Sequence, residues 1–202
     1  MMRRSAVIFL LLAGFVLTGC PKRPPAPAPP IERPPFANPI DQILGILSFA
    51  DTLQAKTSIR IDLVRNGEKQ FFALNGSIFY QKPDKLRLLG YHPLGMGLFD
   101  ALYRDGDFSI LIPLQKTAFT GAMSQYEDVL KKAGEIQVTF SKNDLRDIPD
   151  RIRINLVEKE IEIDLHLKQM QVNQPLPDDA FLWILPEGAV ERPLSDLLRG
   201  IK

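Results

Sequence analysis

From residue 160 to 168 the chain alternates without interruption. Ile161, Ile163, Leu165 and Leu167 are apolar, while Glu160, Glu162, Asp164, His166 and Lys168 are charged or polar. Successive side chains of a strand point to opposite faces, so this pattern predicts a strand with one dry and one wet side. The same period of two runs through Ile59, Ile61 and Leu63 against Arg60, Asp62 and Val64, and Asn66-Gly67 follows as a favoured hairpin turn. A return strand is predicted over about 70–80, and the turn Lys82 to Lys85 leads into 85–89, where Leu86 and Leu88 alternate with Lys85 and Arg87. Further strands are predicted at 98–103, 108–112, 115–119, 135–140, 151–157, 160–171 and 181–185, with a turn at 104–107.

Helical spacing is rarer. Asn38 is a good N-cap and Pro39 suits the first helical position, after which Ile40, Ile43, Leu44, Leu47 and Ala50 recur on one face. A short helix is predicted from Ser124, with Tyr126, Val129 and Leu130 on one side and an end near Gly134. A terminal helix is predicted over 194–201. The stretch YHPLGMGLF, residues 91–99, follows neither period.

About nine or ten antiparallel strands with few helices predict a mainly β fold with a few helices (α+β). A flat sheet of that width would leave one apolar face uncovered. The expected form is therefore a curved antiparallel sheet, or incomplete β-barrel, with an apolar interior covered by helices. The alternative is a filled core with no pocket. If a cavity exists, Ile59, Ile61, Leu63, Leu86, Leu88, Ile110, Ile152, Ile154, Ile163, Leu165, Phe181 and Trp183 are the candidates to line it.

Composition changes this picture mainly at the N-terminus. Arg3 and Arg4 precede an apolar run from Ala6 to Leu17, which is short for a bilayer span and suits a secretory signal. The run ends in LTGC, which resembles the bacterial lipobox and implies lipidation of Cys20, the single cysteine of the chain. The simpler alternative is a plain signal peptide beside an incidental thiol. With one cysteine, no disulfide can form within the molecule. In the enterobacterial pattern an Asp after the lipidated cysteine retains the protein at the inner membrane. Pro21 at that place implies the outer membrane in a Gram-negative source, with the protein lipid-anchored and its domain facing the periplasm.

Residues 21–39 contain nine prolines in nineteen positions, which excludes helix and central strand. As polyproline II this segment reaches roughly 60 Å at most, so it reads as a stalk; a docking motif for a proline-recognising partner is the alternative. The expected division is a signal peptide over 1–19, a lipidated cysteine and stalk over 20–39, and a folded domain over 40–202.

Charge and chemistry narrow the function further. The formal charge is +1 in 202 residues, which gives no reason to expect nucleic acid as a partner. Only His92 and His166 are present, and Cys20 is the one cysteine, so metal-site spacing is missing. The chain has no nucleophile elbow, phosphate-binding glycine loop or zinc-protease motif. Asp178-Asp179 and the group Asp144, Asp147 and Asp150 sit in turn-like sequence without calcium-loop spacing. No enzyme activity, cofactor or metal is expected. Arg60, Lys85, Arg87, Arg151, Arg153 and Lys168 read as the solvated outer face of the sheet.

Two stretches, KLRLLGYHPLGMGLFDALYRDGDFSILIP from Lys85 and VNQPLPDDAFLWILPEGAV from Val172, together with KTAFTG from Lys116, resemble the LolA/LolB superfamily of periplasmic lipoprotein carriers. The first is similar to the part of LolB where a strand ends at a Pro-Leu-Gly turn, and the second to the closing strand of LolA-type chains. The resemblance implies an incomplete barrel with a hydrophobic cavity. It also implies that Leu94 inserts into the membrane, with Met96 and Leu98 as helpers; the alternative is that Leu94 closes the sheet edge. The expected function is to bind acyl chains of lipoproteins and assist their insertion into the outer membrane. Expected partners are an acylated lipoprotein or lipid, a periplasmic carrier protein, and the membrane through the N-terminal lipid. The alternatives are an envelope structural or assembly lipoprotein that binds a protein partner, and a lipid or glycolipid binder of the same fold.

Overall fold

The structure, a computed structural model, describes residues 39–65, 67–126, 135–142 and 149–199. Within these residues one sheet dominates, and its construction follows from the alternating segments. Helix α1 (Pro39–Leu47) precedes β1 (Thr52–Arg65), β2 (Glu68–Gln81), β3 (Lys85–Tyr91), β4 (Gly97–Arg104), β5 (Asp107–Ile112) and β6 (Thr117–Ala122). Then come β7 (Ile136–Lys142), β8 (Pro149–Leu156), β9 (Ile161–Val172), β10 (Val190–Pro193) and helix α2 (Leu194–Arg199). The strand order is β10-β6-β5-β4-β3-β2-β1-β9-β8-β7, a ten-stranded curved sheet whose end strands β10 and β7 do not pair with each other. It is mainly β with two short helices, an incomplete barrel. Every pairing is antiparallel except β10 with β6.

Register places the apolar positions together. Ile59 stands opposite Leu165 and Leu74, Ile61 opposite Ile163, Ile152 opposite Leu165, and Val138 opposite Ile154. These residues share the inner face, and α1 lies on it: Ile43, Leu47 and Ala50 are buried with Leu53, Ala55, Ile59, Ile78 and Tyr80 in one core. Ala50, which the helical spacing places on the same face, is buried just past the end of the helix. A second, smaller core forms where α2 brings Leu194 and Leu197 onto Phe119, beside Phe108, Ile110 and Ile112 of β5. The helices thus cover two parts of the apolar face, as a half-dry sheet requires.

Two glycines give the inner face its local shape. Gly76 and Gly90 are cross-strand neighbours, and Phe99 lies opposite Gly90 on β4. A Cβ on Gly90 would stand 2.1 Å from Phe99 Cε1, so the aromatic ring occupies the space that the glycine leaves.

The strand predicted over 181–185 is absent; this is the main correction to the sequence reading. After β9 the chain forms an irregular extended belt, residues 173–189, before β10. The belt keeps a period of two, with Leu182 and Ile184 exposed and Phe181, Trp183 and Leu185 partly covered. Its carbonyls at Asp179, Ala180 and Leu182, however, accept hydrogen bonds from Arg87 and not from a neighbouring strand. A strand needs such a ladder, and a side-chain fork has replaced it. The predicted strand at 115–119 is shifted to β6, after a 3-10 turn over Pro113–Gln115. The helix predicted from Ser124 begins as a 3-10 turn, Met123–Tyr126, and its continuation through Val129, Leu130 and Gly134 lies outside the described residues. Cys20, the signal segment, the stalk, Asp144 and Asp147 also lie outside them.

Candidate functional site

The inner face divides into a closed part and a partly open part. Under α1, the residues Leu53, Ala55, Ile59, Ile78, Tyr80, Ile152, Leu165 and Leu167 are buried almost completely. Toward the opposite end of the same strands, Ile61, Leu63, Leu74, Phe99, Ile154 and Ile163 are only half-buried, and Phe72, opposite Ile61, is exposed. Apolar surface of this kind has not been fully withdrawn from water, so it favours an apolar occupant.

Most of the residues expected to line an apolar interior are on this face. Ile59, Ile152 and Leu165 belong to the buried core, and Ile61, Leu86, Leu88, Ile154 and Ile163 pack against it. Leu63 follows Ile61 on the same side by alternation, and Ile110 lies in the smaller core with Phe119. Phe181 and Trp183 are elsewhere. Phe181 faces the ammonium of Lys85 at 6.0 Å, and Trp183 borders a small hollow with Leu102, Arg104, Asp107 and Ser109. These partners alternate with the inner-face residues, so both aromatics lie on the outer face, where the belt carries them.

At the half-open end, β3 and β4 are joined by residues 92–96. His92 N–H donates to the Met96 carbonyl at 2.8 Å, and Gly95 N–H donates to the His92 carbonyl at 2.7 Å. Gly95 has φ +88°, a left-handed conformation that its lack of a Cβ permits. Pro93 at the second position and Gly95 at the fourth suit a tight turn of this kind. The His92 imidazole stiffens the turn further, with Nδ1 accepting from Leu94 N–H at 3.2 Å. The turn holds Leu94 at its tip with 88% of its surface exposed; Met96 is 48% exposed and Leu98 is half-buried. Leu94 therefore does not seal the sheet edge: its side chain meets solvent. Sequence reasoning gave Leu114 no role, yet it too is 63% exposed, on the neighbouring turn. Its signal was a leucine directly after a proline that ends a strand.

The outer face is polar, and a groove of about 540 Å³ crosses it, bordered by Arg60, Asp62, Arg151, Arg153, Glu162 and Asp164. These groups are largely engaged with one another. Arg60 bridges Asp62 at 2.6 Å, Arg153 bridges Glu162 at 2.9 Å, and Arg151 Nε donates to both oxygens of Asp164 at 2.7 and 2.9 Å. The hydrogen bond from Arg151, with its charge and that of Arg153, holds the Asp164 carboxyl below the ordinary carboxylate range despite burial. Arg60 and its hydrogen bond similarly lower Asp62. Phe71 lies under the Arg60 guanidinium, 5.0 Å from ring centre to carbon. With Lys69 and Glu160, which stand outside these pairs, the groove carries four cationic and four acidic side chains and no excess of either sign. Among the described residues no group of three His, Cys, Asp or Glu side chains stands together to hold a metal, and no helix is long and apolar enough to cross a membrane.

Arg87 departs from the sequence reading, which placed it in water with the other basic residues. It pairs with Asp100, and the side chains are only 15% and 16% exposed, because the belt covers them. Asp100 hydrogen-bonds the guanidinium and raises its pKa further.

No family model and no curated protein matches the chain. Among solved structures it is similar to a LolA superfamily protein from Nitrosomonas europaea, at 11% identity and a TM-score of 0.37, over 71% of this chain and 97% of that one. It is also similar to a domain described as an outer membrane lipoprotein-sorting protein from Vibrio parahaemolyticus, at 8% identity and a TM-score of 0.36, over 71% and 94%. A DUF1329 family protein from Desulfovibrio piger is similar at 8% identity and a TM-score of 0.41, over 70% and 94%. TM-scores of this size leave the functional reading to the chain's own residues.

Proposed function

We propose that this protein binds acyl chains on the half-open inner face of its sheet and passes them to a membrane, as a lipoprotein anchored to the outer membrane through Cys20. The observation that carries the reading is the pairing of a partly uncovered apolar face with Leu94, 88% exposed at the same end of the strands. A methylene moved from water to an apolar site contributes about 0.8 kcal/mol, and a bilayer offers a similar gain. A face that covers its load only partly therefore releases it with little penalty. No bond is made or broken; transfer runs on the difference in affinity between protein and bilayer. The client would be an acylated lipoprotein, received from a periplasmic carrier protein, and the proline-rich segment would set the reach from the anchor.

The test uses the protein in solution, freed of its lipid, mixed with a purified acylated lipoprotein. The lipoprotein stays soluble in the complex and then appears in added vesicles. Precipitation of the client, beside a working carrier as control, would sink the proposal. The fully buried part beneath Leu47 and Ala50 favours a second reading, in which the core is filled and the domain is an assembly lipoprotein that binds an envelope protein. That reading requires a stable protein complex and no binding of a fluorescent fatty acid. A free lipid or glycolipid as the load is distinguished by mass spectrometry of what copurifies.

A further inference from the structure

The half-open end of the sheet carries a second apolar tip. Between β5 and β6, Pro113–Gln115 form a single 3-10 turn that ends at Lys116 with φ 47°, and Lys116 N–H donates to the Pro113 carbonyl at 3.0 Å. The belt returns at the same place: Val190 N–H donates to the Lys116 carbonyl at 2.8 Å. The turn is therefore fixed from inside and from its flank, yet it presents Leu114 to solvent, 63% exposed. Turn tips of water-soluble surfaces are mostly polar. A rigid leucine there forgoes core packing and keeps its apolar surface in water.

This tip is beside the Leu94 turn. A Cβ on Gly97, where β4 leaves that turn, would lie 3.8 Å from the Pro113 ring. The charge of the two loops is also one-sided. Residues 90–99 and 111–119 contain no carboxylate, and their cationic or titratable nitrogen groups are His92 and Lys116. Across the strand pairing, Asp100 opposite Leu111 is bound to Arg87, and Glu191 opposite Ala118 accepts a hydrogen bond from the Thr120 hydroxyl at 2.7 Å. Two leucines flanked by a lysine match a lipid surface, with apolar interior below and anionic headgroups above.

The geometry points to a two-loop membrane contact in which Leu114 enters the bilayer beside Leu94. It deepens the reading above by naming the lipid surface as the partner of the β5–β6 turn. One loop allows the domain to swivel about its contact; two fix which end of the sheet faces the lipid. Lys116 pairs with an anionic headgroup while Leu114 passes below it.

The chain has a single tryptophan, Trp183, which lies on the belt away from these loops and provides a clean background. In full chain carrying Trp183→Phe, the substitutions Leu114→Trp, Leu94→Trp and Ile184→Trp are made one at a time. Each protein is bound to vesicles of phosphatidylethanolamine and phosphatidylglycerol with brominated acyl chains. The indole of Leu114→Trp should be quenched and blue-shifted together with that of Leu94→Trp, while that of Ile184→Trp, exposed on the belt, should stay bright. A bright indole in Leu114→Trp overturns the proposal whatever Leu94→Trp does, and so does equal quenching at all three positions. In protein freed of its lipid, Leu114→Glu should weaken vesicle binding about tenfold, the scale of one buried leucine. Quenching without acyl-chain binding would overturn the lipoprotein reading and support the contact; acyl-chain binding with a bright Leu114→Trp would do the reverse.

Discussion

Arg87 and Asp100 meet across β3 and β4 in a two-point grip, with Nε donating to Oδ1 at 2.9 Å and Nη2 to Oδ2 at 2.7 Å. The remaining nitrogen, Nη1, donates to the carbonyls of Asp179, Ala180 and Leu182 at 3.1 to 3.2 Å. One guanidinium thus joins two strands to the belt. The carboxylate neutralises the charge, and the planar fork supplies donors on both sides. Without this residue the Asp179 carbonyl would keep only the Leu182 N–H, at 3.0 Å, and the belt would be tied to β4 only through Arg104 and the Phe181 carbonyl.

Arg87→Met should therefore loosen the belt and not only weaken the fold. Asp100 and the carbonyls of Ala180 and Leu182 lose the guanidinium together, while that of Asp179 keeps the Leu182 N–H, which costs about 2–4 kcal/mol in a partly covered site. Arg87→Lys should recover little, because an ammonium cannot span carboxylate and carbonyls in one plane. The checks are a denaturant titration and the emission of Trp183, which should shift red at a lower denaturant concentration than the far-UV signal.

Asp164→Asn tests the outer-face ion pairs by pH. The folded-state pKa of Asp164 is lowered, so its contribution is fully present above the ordinary carboxylate value and is lost as pH falls through the folded one. The variant should melt about 2–5 °C below the parent near neutrality, a modest gap because Arg151 is half in water. That gap should hold down to about pH 5 and close below about pH 4. A gap that stays constant to pH 2 would show that packing, and not charge, accounts for it.

Gly90→Ala should expel the Phe99 ring from its place on β3. The added carbon would stand 2.1 Å from the ring, and so short an approach forces the side chain or the strand to move. A loss of about 1–3 kcal/mol is expected. Phe99→Leu in the same chain should return part of it, and a double-mutant cycle would measure the coupling. Additive effects would contradict the contact.

Leu94→Glu should leave the domain folded, with stability within about 0.5 kcal/mol of the parent, because the side chain is already in water. It should keep an acyl-chain probe and fail to deliver its load to vesicles. Unfolding of this variant would assign Leu94 to the core and remove the membrane role.

Much of this protein is legible from single residues and their neighbours in the chain. The alternation at Ile161, Ile163, Leu165 and Leu167 predicts β9, and the spacing of Ile40, Ile43, Leu44 and Leu47 predicts α1, both of which form. The apolar face follows as well, since a side chain's side of a strand is a local property. What alternation does not contain is the identity of the neighbour. Residues 161–167 and 181–185 show the same period of two, yet the first group is flanked by β1 and β8 while the second lies across the outer face and is held by Arg87. For that reason Phe181 and Trp183 were expected inside and Arg87 in water.

Local pattern suffices to say which residues shun water, where the chain turns, and that strands must pair into one broad sheet. What covers each face, which loops share an end, and that the turn carrying Leu114 adjoins the turn carrying Leu94 follow from tertiary contacts alone. The physical reason is range: rotamer, period and turn geometry act over a few residues. Coverage and adjacency arise from pairings between residues far apart in the chain, such as Arg87 with the belt and Gly97 with Pro113.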